Sequence, residues 1–368
     1  MYLLRFMPTQ NPSRKTGIDS ASTARALERI RKRKASAQIC VLWHGEVMLD
    51  EAIGCGKDSL FWIFSASKTF MATLIYILAE RDQVQLDEPV ATYWPEFAQH
   101  GKSQITIRQV LQHRSGLVQA MSIGDAFAIS NWDAFVHRVA RSRPALTPGE
   151  GPAYQALSYG FILGEVVQRV TQCSVQEVLS KELLEPLGMH NTFLGLPDEL
   201  WERHVPVSGN GPYGKLMAWV VNRRAVRCSV NPSAGISTTA ADMAVFYQML
   251  LSGGVAGSRR LLKASSIEEA RTPSCSGEFD RCAKKPIRWA QGFQLGGPRS
   301  DPRFVSPIGA TSSPLTYGHN GSNCCIAWAD PTRQLAFAYL TSHLADAKEA
   351  VEHLAALADD ILSGCPID

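Results

Sequence analysis

The 368 residues contain no apolar run of about 18, the length a bilayer-crossing helix needs. The opening Met-Tyr-Leu-Leu-Arg-Phe-Met is too short an apolar stretch for a secretion signal. The expectation is a cytoplasmic protein without a membrane span. Nine cysteines occur, but none has Cys-x-x-Cys spacing, and a bridge between the adjacent Cys324 and Cys325 would be strained. They read as reduced thiols in a reducing compartment. No His-Glu-x-x-His motif surrounds His44 or His113, which read as structural, and no metal or cofactor is expected. Charge of one sign is scarce: 37 Lys and Arg against 34 Asp and Glu leave a net charge of +3, no basis for a nucleic-acid partner. The one local excess, Arg29, Arg31, Lys32, Arg33 and Lys34, reads as a solvated helix end, with an anionic-surface patch as the alternative. Internal repeats and low-complexity tracts are also absent.

What is present is an ordinary globular composition, 45% hydrophobic and 19% charged, in a chain long enough to bury a core without disulfides or metals. Residues 1–18, with Pro8, Pro12 and Gly17, read as a loosely held tail. Ser20 or Ser22 can cap a helix that runs to about Lys34. Short apolar runs at 37–43 and 47–53 flank His44-Gly45-Glu46 and read as a hairpin, and 323–329 and 335–341 flank Asp330-Pro331-Thr332-Arg333 as a second. Residues 345–363 have helical apolar spacing. Hairpins at opposite chain ends, each beside a terminal helix, can share one antiparallel sheet with those helices on a face. The middle then becomes an insertion. It is mostly helical, with segments at 69–81, 107–113, 131–141, 158–170, 175–184 and 239–251. The expected fold class is α/β (α+β), residues 19–368 forming one catalytic domain with a largely helical lobe over roughly 69–285. A cleft between sheet and lobe is the expected ligand site.

Phe61-Trp-Ile-Phe-Ser65-Ala-Ser-Lys68-Thr-Phe passes from an aromatic run into a helical pattern. Ser65 sits at the helix start, Lys68 can reach back to its hydroxyl, and the Ser65 N–H lacks an intrahelical acceptor and can hold a developing oxyanion. A bare Ser-x-x-Lys arises by chance roughly once in a chain of this length, so Ser65 as a mere N-cap is the competing reading. A capping box, however, takes Glu or Gln three residues on, and the helix dipole disfavours a cation there. Such a conflict is expected at functional sites. Crowding in a closed cleft would push Lys68 toward the neutral form of a general base, and lowering a lysine to about 8 costs roughly 3 kcal/mol.

Further segments carry a family resemblance. Ser65-Ala-Ser-Lys68 resembles the nucleophile motif of the serine β-lactamase and penicillin-binding-protein superfamily. Ile105 to Leu117, Pro152-Ala-Tyr154-Gln-Ala-Leu-Ser-Tyr-Gly, Glu185-Pro-Leu-Gly-Met, Ser233-Ala-Gly-Ile-Ser-Thr-Thr and Tyr317-Gly-His319-Asn-Gly321-Ser322 resemble later motifs of its class C branch, in the family's order. The resemblance implies a β-lactamase-like fold, Ser65 as nucleophile, Lys68 as its hydrogen-bonded partner and Tyr154 as a second proton carrier. It also implies that His319-Asn-Gly321 replaces a Lys-Thr-Gly strand motif, that Gly321 lets the backbone approach the substrate, and that Ser322 N–H is the second oxyanion donor. Trp289 in Trp-Ala-Gln-Gly resembles a segment bordering the cleft, with core packing as an equal reading. Tyr159, the rival phenol, belongs by spacing to the following helix and packs.

Two departures narrow the function. Ala156 stands where β-lactamases have a polar residue two after the Tyr, and His319 stands where they have a permanent cation. Family VIII carboxylesterases and related transesterases share both changes, and this chain resembles them most. The expectation is a serine hydrolase of small or medium acyl esters, with a small-molecule ester as its partner. The alternatives are an acyltransferase using the same acyl-enzyme, a β-lactamase or D-amino acid peptidase, and a non-catalytic binding protein on this fold.

Overall fold

Both ends of the chain supply strands that are apolar on each side, which suits a sheet covered on both faces. The computed structural model describes residues 18–118, 129–275, 277–297 and 304–367. A six-stranded antiparallel sheet runs in the order Gln294–Leu295, Tyr317–Gly321, Cys325–Asp330, Leu335–Thr341, Ala37–Trp43, Glu46–Ile53. The two expected hairpins thus meet along one seam, where Cys40 pairs with Ala338.

Alternation along the strands separates two cores. Ile39, Val41, Trp43, Phe337 and Tyr339 point to the terminal helices Ser20–Lys32 and Ala347–Ser363, which present Ala26, Ile30, Leu354, Leu357 and Ile361. Cys40, Leu42, Ala336 and Ala338 point to the other face, where the helices Lys68–Glu80 and Ala240–Leu251 lie. The helix Lys68–Glu80 is buried from Lys68 to Leu78, because it is apolar all round and stands between sheet and helical lobe. Among the described residues no helix is long and apolar enough to cross a membrane.

Several local expectations are corrected. The cap of the first helix is Asp19, whose carboxylate accepts from the N–H groups of Ala21 and Ser22, and the helix ends at Lys32. Ile18, assigned to the tail, packs against the terminal-helix core; the rest of the tail, residues 1–17, lies outside the described residues. The helix expected at 107–113 stops at Leu111, and His113 takes the left-handed φ of 57°. The helix expected at 175–184 leaves α geometry after Leu179 and continues as a wider π turn, Ser180–Leu184. The basic run near residue 30 faces carboxylates: Arg29 meets Asp360 at 2.7 Å, Lys32 meets Glu28 at 2.7 Å and Arg33 meets Glu349 at 3.4 Å.

Candidate active site

Ser65 lies on a short 3-10 turn, Phe64–Ser67, which runs directly into the α-helix Lys68–Glu80, so the serine stands three residues before that helix rather than within its first turn. The strand Phe61–Trp62 pairs with Ile236–Thr238, and Ile63 N–H donates to Ile236 O at 3.0 Å, which anchors the chain just ahead of the serine. Phe64 then takes a φ of +48°, a left-handed conformation that costs an aromatic residue about 1–3 kcal/mol. That strain turns the Ser65 hydroxyl out of the core to a half-buried position.

Lys68 is fully buried. Its Nζ is 3.3 Å from Ser65 Oγ, 2.9 Å from Ala156 O and 3.0 Å from Ser233 O. Burial lowers its pKa from 10.5 to about 7, equivalent to roughly 5 kcal/mol disfavouring the ammonium. A neutral amine has two N–H bonds and one lone pair. The two carbonyls take the N–H bonds, and the lone pair is left for the Ser65 proton. The Ser233 carbonyl is aimed by an Asx turn, in which Asn231 Oδ1 accepts from Ser233 N–H at 3.1 Å. Gly160 N–H donates to the Ser233 hydroxyl at 2.7 Å, and a Cβ at Gly160 would fall 2.3 Å from Ser233 N, so only glycine allows this approach.

Tyr154 precedes the helix Ser158–Thr171, and its phenol is hydrogen-bonded to Ser65, with its ring 5.0 Å from Lys68 Nζ. Burial pushes the phenol well above its ordinary pKa, the Ser65 contact lowers it less, and the Asp280 charge raises it further. The group stays protonated near neutral pH and can act as a donor. Trp289 stacks on it with ring centroids 5.5 Å apart and planes within 4°. Behind the pair, Asp280 Oδ1 accepts from the N–H groups of Tyr154 at 3.1 Å, Cys282 at 2.9 Å and Ala283 at 2.7 Å, and Oδ2 accepts from the Trp289 indole at 2.9 Å. His113 Nδ1 accepts from Gln155 N–H at 3.2 Å, and its ring lies 4.8 Å from Tyr154 and 4.5 Å from Trp289. Burial, with the charge of Lys68, holds His113 neutral. Tyr159 is buried in the helix, as expected.

On the facing strand, His319 is buried, its Nδ1 lies 2.6 Å from Asn320 O, and burial and Lys68 push its pKa down to about 3. It is a neutral imidazole at pH 7. A Cβ at Gly321 would fall 2.0 Å from Ile63 O, so this glycine lets the strand close on the nucleophile turn. This approach of one backbone to another is a reason for glycine at 321 besides the approach to the substrate expected of it. Ser322 and Asn323 follow with φ of 49° and 54°. Among the described residues, neither the Ser65 N–H nor the Ser322 N–H makes a hydrogen bond, so both can donate to an oxyanion.

A cavity of about 170 Å³ is lined by Ser65, Tyr154, Trp289, His319 and Ser322, which brings most of the expected site residues together. Sequence reasoning missed Asp280 and Lys285, gave Ser233 no role of its own within the motif that contains it, and read His113 as structural. Lys285 also lines the cavity, a cation the sequence argument had found missing. No motif marks Asp280 or Lys285. Among the described residues no cluster of three or more His, Cys, Asp or Glu is placed to hold a metal ion.

The family profile described as Beta-lactamase matches residues 23–360. Esterase/beta-lactamase LipL of Mycobacterium tuberculosis (strain ATCC 25618 / H37Rv) is 26% identical over 343 residues, covering 85% of this chain and 76% of its own. Penicillin-binding protein 4 of Amycolatopsis lactamdurans is 28% identical over 284 residues, covering 71% and 73%. A crystal structure of a family VIII carboxylesterase superposes with a TM-score of 0.79 at 23% identity, covering 95% of this chain and 99% of that one, and so shares the fold.

Proposed function

The chain belongs to the beta-lactamase family and is a serine hydrolase of that family, and on that premise we propose that residues 19–368 act as one catalytic unit that cleaves acyl esters through an acyl-enzyme on Ser65. The observation that carries this is the Lys68 amine, whose two N–H bonds are taken by carbonyls beside the Ser65 hydroxyl. Lys68 removes the Ser65 proton as Oγ attacks the ester carbonyl. The oxyanion is held by the N–H groups of Ser65 and Ser322. As the C–O bond breaks, Tyr154 gives its proton to the departing alkoxide, and the Lys68 ammonium restores the phenol. Water then attacks the acyl-enzyme by the reverse proton path.

Esters are favoured over β-lactams because neutral His319 brings no cation to a substrate carboxylate, and Ala156 has no side-chain donor or acceptor. Burying a substrate polar group without a partner costs roughly 1–3 kcal/mol. Lys285 supports a second reading, since a cation on the cavity wall suits a carboxylate-bearing β-lactam or peptide. The nine unbridged cysteines support a reducing compartment, hence the cytoplasm. The deciding experiment compares kcat/KM for a chromogenic short-chain ester and a chromogenic cephalosporin, with Ser65→Ala in parallel. The ester should win and the variant should be inert; a tenfold preference for the cephalosporin would reinstate the second reading.

A further inference from the structure

The helix Gly211–Val221 is apolar on both sides. Gly214, Ala218, Val220 and Val221 are buried against the protein, while Tyr213, Leu216 and Trp219 are 70%, 49% and 55% exposed. Other exposed large apolar residues, such as Val47, Phe279 and Ile367, lie on separate segments. An all-round apolar helix is ordinarily covered on every side. From Asn210 to Arg227 the chain has Lys215, Arg223, Arg224 and Arg227 and no Asp or Glu, though Arg227 is buried on the carbonyls of Val221 and Val205 and Arg224 pairs with Asp198 at 2.8 Å. Lys215 is exposed, and the Arg223 guanidinium lies 5.2 Å from the Trp219 ring.

A groove of about 470 Å³ starts on this helix, lined by Pro212, Tyr213, Leu344 and Ala345 with Asn210 and Asp346 at its polar edge, and shares Ser322 and Asn323 with the Ser65 cavity; the Asp346 carboxylate is engaged in capping the helix Ala347–Ser363. The carbonyl between Ser65 and Ser322 would therefore have a space of about 170 Å³ on the Tyr154 side and a larger, mostly apolar channel on the other. Tyr154 protonates the leaving alcohol, so the small space belongs to the alcohol and the channel to the acyl group.

We propose that the exposed face of the helix Gly211–Val221 docks on an anionic lipid surface, from which a long-chain acyl ester enters the groove and reaches Ser65. The proposal rests on the ester-cleaving reading. Charge decides the occupant. A second copy seated two-fold on this face would set Lys215 against its own equivalent, whereas anionic headgroups pair with it and leave Leu216, Tyr213 and Trp219 at the depth such residues prefer. Continuity agrees, since the groove connects the covered face to the nucleophile.

The test is co-sedimentation of the whole protein with vesicles of phosphatidylcholine containing about one-third phosphatidylglycerol. Wild type should sediment. The double variants Leu216→Glu/Trp219→Glu and Lys215→Glu/Arg223→Glu should each partition at least roughly tenfold less, with turnover of a water-soluble short-chain ester unchanged in both. Wild type left in the supernatant, variants that sediment as well as wild type, or a dimer that the same substitutions dissociate would overturn the proposal. Should one variant lose short-ester turnover through misfolding, the other still decides. Vesicle binding needs no catalysis, so failure of the ester reading would show separately, as wild type inert on the soluble ester.

Discussion

At the scale of single residues, the site depends on a lysine kept uncharged. Because the Lys68 pKa is about 7, its lone pair is lost as pH falls through 7. The rate at which a fluorophosphonate labels Ser65 should therefore rise with pH through about 7 and level off above it, and a pH-independent rate would remove Lys68 as the base. Lys68→Ala and Tyr154→Phe should each reduce kcat by about a hundredfold or more, and together by less than the product, as the shared proton path proposed for them requires. Steady-state kinetics of the double-mutant cycle measures this. Asp280 is a positioning residue. Asp280→Asn turns an NH2 toward at least one of four N–H donors, a mismatch of about 1–3 kcal/mol. It should lower kcat while KM stays near wild type and shift Trp289 fluorescence; a change in melting temperature alone would reduce Asp280 to a structural role.

At the scale of elements, the site is made by close approach between backbones. The strand Tyr317–Gly321 closes on the turn before Ser65 only because residue 321 has no side chain. Gly321→Ala must push the two apart, which displaces the Ser322 N–H from the Ser65 N–H. Losing one oxyanion donor usually costs about a hundredfold or more in kcat. Gly321→Ala should show that loss while still binding substrate, as steady-state kinetics with the soluble ester would record; wild-type turnover would exclude Ser322 from the oxyanion site. The helix Ser158–Thr171 has the same character, with Gly160 pressed on the Asx turn that aims Ser233 O at Lys68.

At the scale of the whole molecule, the sheet separates a stabilising core from a catalytic one. Leu357 is fully buried under the outer face, in the cluster of terminal helices that excludes the site residues. Leu357→Ala should cost about 2–5 kcal/mol of stability, seen as a lower melting temperature, while kcat per folded molecule stays unchanged. A matching fall in kcat would mean that the two faces are coupled.

The hairpins, the terminal helices and the Ser65–Lys68 spacing were legible in the sequence, because periodicity and a three-residue spacing are local properties that the chain carries wherever it folds. Motif resemblance extended this to Tyr154, His319 and Ser322, which the fold brings to one cavity, and to Gly321 on the strand beside it. Tertiary structure alone decided the burial that lowers the Lys68 pKa and the partners that orient its amine, the carbonyls of Ala156 and Ser233. Every residue has a carbonyl, so no residue type announces that role. Asp280 and His113 were illegible for a related reason: most of their partners are backbone N–H groups or ring faces supplied by segments far away in the chain. The cavity volumes, the place of Lys285 on the wall and the exposure of Trp219 likewise follow from how elements pack, a property of pairs of segments that neither segment encodes by itself.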